Sequence, residues 1–243
     1  MLSDFNCKIL DIDKYKFYLG DESVLLIEAQ KLINDINILG SCGFHKLTLP
    51  IKTDPLSPFY IYKKSSSKII QYVKSQTAHK LLGKFSIYTV PVLNLTEETP
   101  FLENLEKFTA YKSNYIFFEL SDKNEFSNQF FVSLNHLLYK QNILPVFVNI
   151  QKHLGTTIND DINRIINIKG AAFIFDLNIN FFSRDICTIK HILRNGGIVL
   201  LGSSCEHSQL NKSQIEKCIN LLKKQLGDDG YRNDFIIRSR AIY

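Results

Sequence analysis

The segment Gly197-Ile198-Val199-Leu200-Leu201-Gly202-Ser203-Ser204-Cys205-Glu206-His207 decides the reading of the fold. An unbroken apolar run follows Asn195-Gly196, gives way to small and polar residues, and a helical pattern resumes at Gln214. A strand buried on both faces of a parallel sheet has this build, with its functional loop at the carboxyl end. The same order of apolar run, polar loop and helix recurs upstream, so the segment is one unit of a repeating βα alternation.

Working outward, the first strand is expected at Asn6–Ile12, followed by the loop Asp13–Gly20. Asp21, Glu22 and Ser23 open a helix, with acids at the end the macrodipole favours. Its apolar stripe runs from Val24 to Ile36, and Gly40 stops it. His45–Ile51 reads as a strand, Lys52–Ser67 as a long loop with Pro55 and Pro58, Ser67–Leu82 as a helix and Lys84–Leu95 as a strand. Thr99-Pro100 starts a short helix, where proline's missing N–H costs nothing. Strands at Asn114–Leu120, Leu144–Ile150 and Ala171–Leu177 alternate with helices at Asn124–Gln141, Asn159–Ile168 and Ser183–Arg194, and a last helix spans Ser213–Leu226. The tail Asp228–Tyr243 has no assignment. Seven strands alternating with helices, without a Pro/Gly/Ser linker, imply one α/β domain over residues 1–243 with a parallel sheet. Neither G-x-G-x-x-G after the first strand nor G-x-x-x-x-G-K-[ST] is present, so a TIM-like barrel is favoured over a nucleotide-binding doubly wound sheet.

Composition narrows the function classes. With 243 residues and 45% hydrophobic content the chain buries a sizeable core. The net charge of +5 comes from 29 basic and 24 acidic residues that are spread out, and no basic cluster exceeds a pair such as Lys63-Lys64. Nucleic acid is therefore not an expected partner. Five cysteines, odd in number and without a C-x-x-C pair, suit a reduced interior. No signal peptide and no membrane span are evident, so a cytoplasmic protein is expected. The oligomeric state is open.

Read in order, the strand ends resemble the polymerase and histidinol phosphatase (PHP) superfamily, and within it the bacterial capsule and exopolysaccharide tyrosine phosphatases. That resemblance implies a distorted seven-stranded (β/α) TIM-like barrel of PHP type, holding a metal cluster, usually manganese, at its mouth. The family's opening I-D-I-H-S-H-I-L-P-G-x-D-D-G lies on Leu10 to Ser23, matching Asp11, Asp21 and Glu22. Its two metal-binding histidines fall on Asp13 and Tyr15. A-T-P-H falls on Thr48-Leu49-Pro50-Ile51, with Ile51 in the histidine's place, and Asn94 stands about where a bridging acid belongs. Tyr115 to Leu120 follows Y-I-L-I-E-L and keeps Glu119. Pro145 to Lys152 follows P-V-I-A-H-P-E-R with Asn149 for the histidine. Gly170 to Asn178 follows G-A-L-F-Q-I-N, and the opening segment follows V-I-A-S-D-A-H-N with Ser204 for aspartate and Glu206 for histidine.

A multinuclear site needs imidazoles and bridging carboxylates to bind ions and lower the pKa of a bridging water. Isoleucine, asparagine and serine do not supply them. The expectation is a degenerate PHP protein, a pseudoenzyme with no catalytic residue and no cofactor. It would bind or scaffold in polysaccharide synthesis, in contact with a tyrosine kinase tail or an assembly protein. The alternative is an active phosphoesterase, a protein-tyrosine phosphatase with manganese or another divalent metal held by Asp13, Asp21, Glu22, Glu119 and Glu206, with Asp11 as a further acid. Cys205 beside Glu206-His207 suggests a thiol nucleophile only weakly, because neighbours on a loop seldom face each other. His79, His136 and His191 read as surface or core-edge histidines on helices, and His153 as the one other histidine within reach of the barrel mouth. Two aromatic loops, Tyr15-Phe17-Tyr18 and Phe59-Tyr60-Tyr62, either anchor their loops or pack over the emptied site.

Overall fold

The structure, a computed structural model, describes residues 2–4, 10–11, 33–56, 58–76, 86–111, 113–120, 126–148, 150–154, 159–177, 181, 183–203, 211–237 and 242. Among the described residues eight strand segments form one sheet: β1 Leu2–Asp4, β2 Leu10–Asp11, β3 Phe44–Lys52, β4 Ser86–Leu95, β5 Tyr115–Leu120, β6 Leu144–Phe147, β7 Ala172–Asp176 and β8 Ile198–Gly202. Every pairing is parallel, in the order β1-β3-β4-β5-β6-β7-β8, with β2 also on β3. β1 pairs with the first half of β3 and β2 with its last two residues. The sheet curls until β1 and β8 come within 8 Å between Cα atoms, with no ladder between them among the described residues.

Helices fill the connections: α1 at 33–41, α2 Phe59–Gln76, α3 Asn128–Tyr139, α4 Ile150–His153, α5 Asp160–Ile166, α6 Ser183–Arg194, α7 Lys212–Leu226 and α8 Asp228–Tyr231. Two 3-10 turns, Thr99–Phe101 and Leu105–Phe108, replace a helix between β4 and β5, and a π-helical turn spans Arg232–Ile237. Side-chain caps set several starts. Ser127 Oγ accepts from the Phe130 N–H at 3.0 Å, Asn159 Oδ1 from Ile162 at 2.8 Å and Asn211 Oδ1 from Gln214 at 3.2 Å.

Strand side chains alternate between two apolar layers, as a period of two requires. One layer holds Val90 and Val92 of β4, Tyr115 and Phe117 of β5, Val146 of β6, Ala172 and Ile174 of β7, and Ile198 and Leu200 of β8. No helix residue among the described residues belongs to it, so this is the concave inside of the curl. The intervening residues, among them Leu47, Leu49 and Ile51 of β3, Ile116 and Phe118 of β5 and Phe173 and Phe175 of β7, cluster with Ile36, Leu39, Leu134, Ile189 and Ile215 of the helices. That is the outer layer.

The βα alternation and all-parallel sheet agree with the sequence, and four boundaries change. The expected first strand, Asn6–Ile12, is described only at Leu10–Asp11, and the short β1 precedes it. Lys52–Ser67 is not one long loop, because α2 begins at Phe59 and buries Tyr62, Ser65 and Ile69 at helical spacing. The strand expected to reach Ile150 ends at Phe147, and Ile150 opens α4. The unassigned tail forms α8 and the π-helical turn.

Gly197, in the segment that decides the fold, is where β8 leaves α6. Its N–H donates to the Ile192 carbonyl at 3.0 Å, and a Cβ there would lie 2.6 Å from Ile192 Cγ2. Only glycine allows the strand so close beneath the helix end.

Candidate functional site at the strand ends

Alternation places particular side chains at the mouth. Two residues beyond inward-facing Val92, Phe117, Ile174 and Leu200 stand Asn94, Glu119, Asp176 and Gly202. On β3 the inward positions are Thr48, Pro50 and Lys52, with Lys52 opposite Val92 in the ladder. Asn94 lies opposite Glu119, and Asp176 opposite Gly202.

An ion pair spans part of this ring. Lys52 Nζ lies 2.8 Å from Glu119 Oε2, with the lysine side chain 37% exposed and the glutamate 14%. The two strands are not neighbours, since β4 runs between them, so the pair spans two strand intervals, roughly 10 Å. Residues on opposite faces of the sheet could not meet this way. The backbone after Lys52 turns at once. The Thr53 N–H donates to the Val92 carbonyl at 2.8 Å, its hydroxyl donates to the Ile51 carbonyl at 2.9 Å, and Asp54 Oδ1 accepts from the Leu56 N–H at 2.9 Å. On the far side, Gln151 Oε1 accepts the Asp176 N–H at 2.5 Å, tying the start of α4 to the end of β7.

Of the residues singled out in the sequence, Asn94 and Glu119 lie together here, with the Asn94 side chain exposed. The ladder sets Asp11 opposite Lys52. Ile51 is fully buried in the outer, helix-facing layer, so the inward position at the end of β3 belongs to Lys52. Asp13, Tyr15, Asp21, Glu22, Asn149, Ser204 and Glu206 lie outside the described residues, as do Cys205, His207 and His79. His153 is buried, its ring 6.4 Å from that of Phe126. Phe59 stacks on Tyr62 at 5.4 Å and meets Phe108 edge-on at 5.3 Å, so these two rings anchor α2 in the outer layer, while Tyr60 stays exposed.

Lys52 is the inward side chain at the end of β3 that the sequence reading did not single out. The signal was present, since Thr48, Pro50 and Lys52 alternate with the more apolar Leu47, Leu49 and Ile51.

Whether the mouth suits a metal cluster is a question of donor chemistry. Among the described residues no group of three His, Cys, Asp or Glu side chains converges. The Glu119 carboxylate has a lysine ammonium against it, and Asn94 is neutral. Glu119 with its ammonium partner and the neutral Asn94 do not by themselves fit a multinuclear metal site, which requires several anionic or imidazole donors around each ion; the other described acids of the ring are Asp11 and Asp176.

The fold and its strand-end ring define a class: a TIM-like α/β protein whose curled parallel sheet carries polar side chains at the carboxyl ends, where such folds place their sites. One solved structure of similar fold is a chain from the crystal structures of YwqE from Bacillus subtilis and CpsB from Streptococcus pneumoniae, unique metal-dependent tyrosine phosphatases. It superposes with a TM-score of 0.64 and 10% sequence identity, over 88% of this chain and 86% of that one. No protein-family model and no curated protein sequence matches. At 10% identity the likeness is one of fold, of the kind the strand-end motifs imply. No helix among the described residues is long and apolar enough to cross a membrane.

Proposed function

We propose that this chain is a PHP-type tyrosine-phosphatase-like protein that binds or scaffolds and has given up metal-dependent hydrolysis. The observation that carries the reading is the Lys52–Glu119 pair, 2.8 Å apart at the mouth. A metal-dependent phosphatase uses strand-end carboxylates to hold a divalent ion, which polarises the phosphate and generates hydroxide. Here the charge of one such carboxylate is met by an ammonium tethered to the chain. An ammonium neutralises a carboxylate and steers anionic groups, but it does not activate water as a metal does. The outward Ile51 and neutral Asn94 support the same reading. The ligand class implied by the resemblance is a tyrosine-rich segment, such as the tail of a tyrosine kinase or an assembly protein of polysaccharide synthesis in the cytoplasm.

Metal analysis of the purified protein and p-nitrophenyl phosphate turnover with and without chelator test this. Substoichiometric metal and no chelator-sensitive turnover are expected. Stoichiometric manganese, iron or zinc together with turnover abolished by chelator would overturn the reading in favour of an active phosphoesterase with a remodelled metal set.

A further inference from the structure

The surface of α3 remote from the sheet carries an apolar stripe. α3 buries Phe130, Phe131, Ser133, Leu134 and Leu137. Its opposite face presents Val132, His136 and Tyr139, spaced i, i+4 and i+7, with Val132 56% and Tyr139 80% exposed. The Thr99–Phe101 turn widens this stripe. Phe101 is itself 56% exposed and leans its ring on His136 with the centroids 5.0 Å apart. The stripe runs along two helical turns, roughly 10 Å. Single exposed apolar residues need no explanation, but an aromatic and aliphatic row along one helix face is the geometry that receives an amphipathic helix.

The charge beside it selects the occupant. From Thr96 to Phe108 the chain carries Glu97, Glu98, Glu103 and Glu106 against Lys107 alone, and Lys140 follows the far end of α3. This acidity is local, because the whole chain is at +5. It is also held in place beside the stripe. Ser127 donates its hydroxyl to the Glu97 carboxylate, and Ser133 Oγ donates to the Glu97 carbonyl at 2.7 Å, fastening the run to α3. Glu98, Glu103 and Glu106 are exposed on the same run, Glu98 and Glu103 within three residues of Phe101. A nucleic acid or an anionic membrane would be repelled by this run.

We propose that this face docks a basic amphipathic helix of a partner protein, its apolar side on Phe101, Val132 and Tyr139 and its Lys or Arg side chains towards Glu98, Glu103 and Glu106. The surface is separate from the strand-end ring, so the proposal stands whether or not the mouth hydrolyses anything.

A phage-displayed library of randomised helical peptides, selected on the full chain, tests it. The expected consensus pairs apolar residues at a spacing of three and four with flanking Lys or Arg. Affinity for a synthetic consensus peptide should fall at least tenfold in Val132→Asp and in Tyr139→Asp. In the triple variant Glu98→Lys, Glu103→Lys, Glu106→Lys it should fall at least tenfold again while acidic versions of the peptide gain. All of these positions are exposed, and unchanged far-ultraviolet circular dichroism confirms that each variant folds. Failure to enrich any helix, a neutral or acidic consensus, or binding unmoved by Val132→Asp and Tyr139→Asp would overturn the proposal. So would concentration-dependent dimerisation abolished by Val132→Asp, which would assign the face to a second copy.

Discussion

Lys52 Nζ and Glu119 Oε2 stand 2.8 Å apart across β4, joining the carboxyl ends of two strands that do not touch. The pair is unequal: the glutamate is mostly buried while the lysine is partly solvated. Removing the lysine therefore leaves a poorly solvated charge behind, whereas removing both partners does not. Lys52→Met should cost about 1–2 kcal/mol in urea denaturation, the lower part of the buried range because solvent screens the lysine. Lys52→Met with Glu119→Leu should recover most of that loss. Equal costs for the single and double variants would mean that the pair contributes no coupling.

Gly197 gives a test of the junction between α6 and β8. Gly197→Ala sets a methyl 2.6 Å from Ile192 Cγ2 and 3.2 Å from the Ile192 carbonyl oxygen, too close on both counts without a shift of the helix end. Overpacking of this kind costs typically 1–3 kcal/mol. Ile192→Leu, which moves the branch away from Cβ, should relieve part of it. Thermal unfolding of the two single variants and the double variant reads this out, and additivity between them would deny the clash.

How far the sequence carried depends on which signals were local. The helix Ser183–Arg194 and the strand at Ile198–Gly202 were legible because an apolar run, Asn195-Gly196 and a helical stripe mark the boundaries within a few residues. α2 was hidden by Pro55 and Pro58, which read as loop, although Pro58 only precedes the first helical turn. Three-residue β1 is too short to show a period at all. At the mouth, motif matching put the β3 ligand position on Ile51, one residue from the inward Lys52. A one-residue offset in a strand moves a side chain to the other face of the sheet, so Ile51 faces the helices while Lys52 faces the inside. The Lys52–Glu119 contact was not legible because it depends on sheet order and curl, which no local pattern encodes.

Alkaline pH should expose three buried phenols. Burial pushes Tyr62 up to about 12, the larger effect, against the opposing hydrogen bonds with Thr89 and Ser66. Burial also raises Tyr115 and Tyr231 above the ordinary value of 10.0. The sign follows from linkage. The folded state holds these protons more tightly than the unfolded chain, so their contribution is complete below about pH 10 and is lost as pH rises through the folded values. Tyr62 alone accounts for roughly 3 kcal/mol across that window. Of the 11 tyrosines, a late-titrating group should gain phenolate absorbance only in step with loss of circular dichroism, and Tyr62→Phe should move that unfolding to higher pH. A single smooth titration of all tyrosines in the folded protein would contradict this.

Among the described residues the curled sheet leaves a seam between β1 and β8. The π-helical turn Arg232–Ile237 comes within 8 Å, Cα to Cα, of both β1 and β8, the two strands with no ladder between them. Beyond it, Ile242 is fully buried in the inner layer with Ala172, Ile198 and Tyr115. The inner layer thus takes in an apolar side chain that no strand of the sheet supplies. Ile242→Ala should cost about 2–5 kcal/mol, as for any fully buried isoleucine, and Ile242→Asp more, because a carboxylate has no partner in that layer. Chemical denaturation distinguishes this from a frayed tail. A loss of less than about 0.5 kcal/mol for Ile242→Ala, the range of a surface change, would show that the inner layer is complete without it.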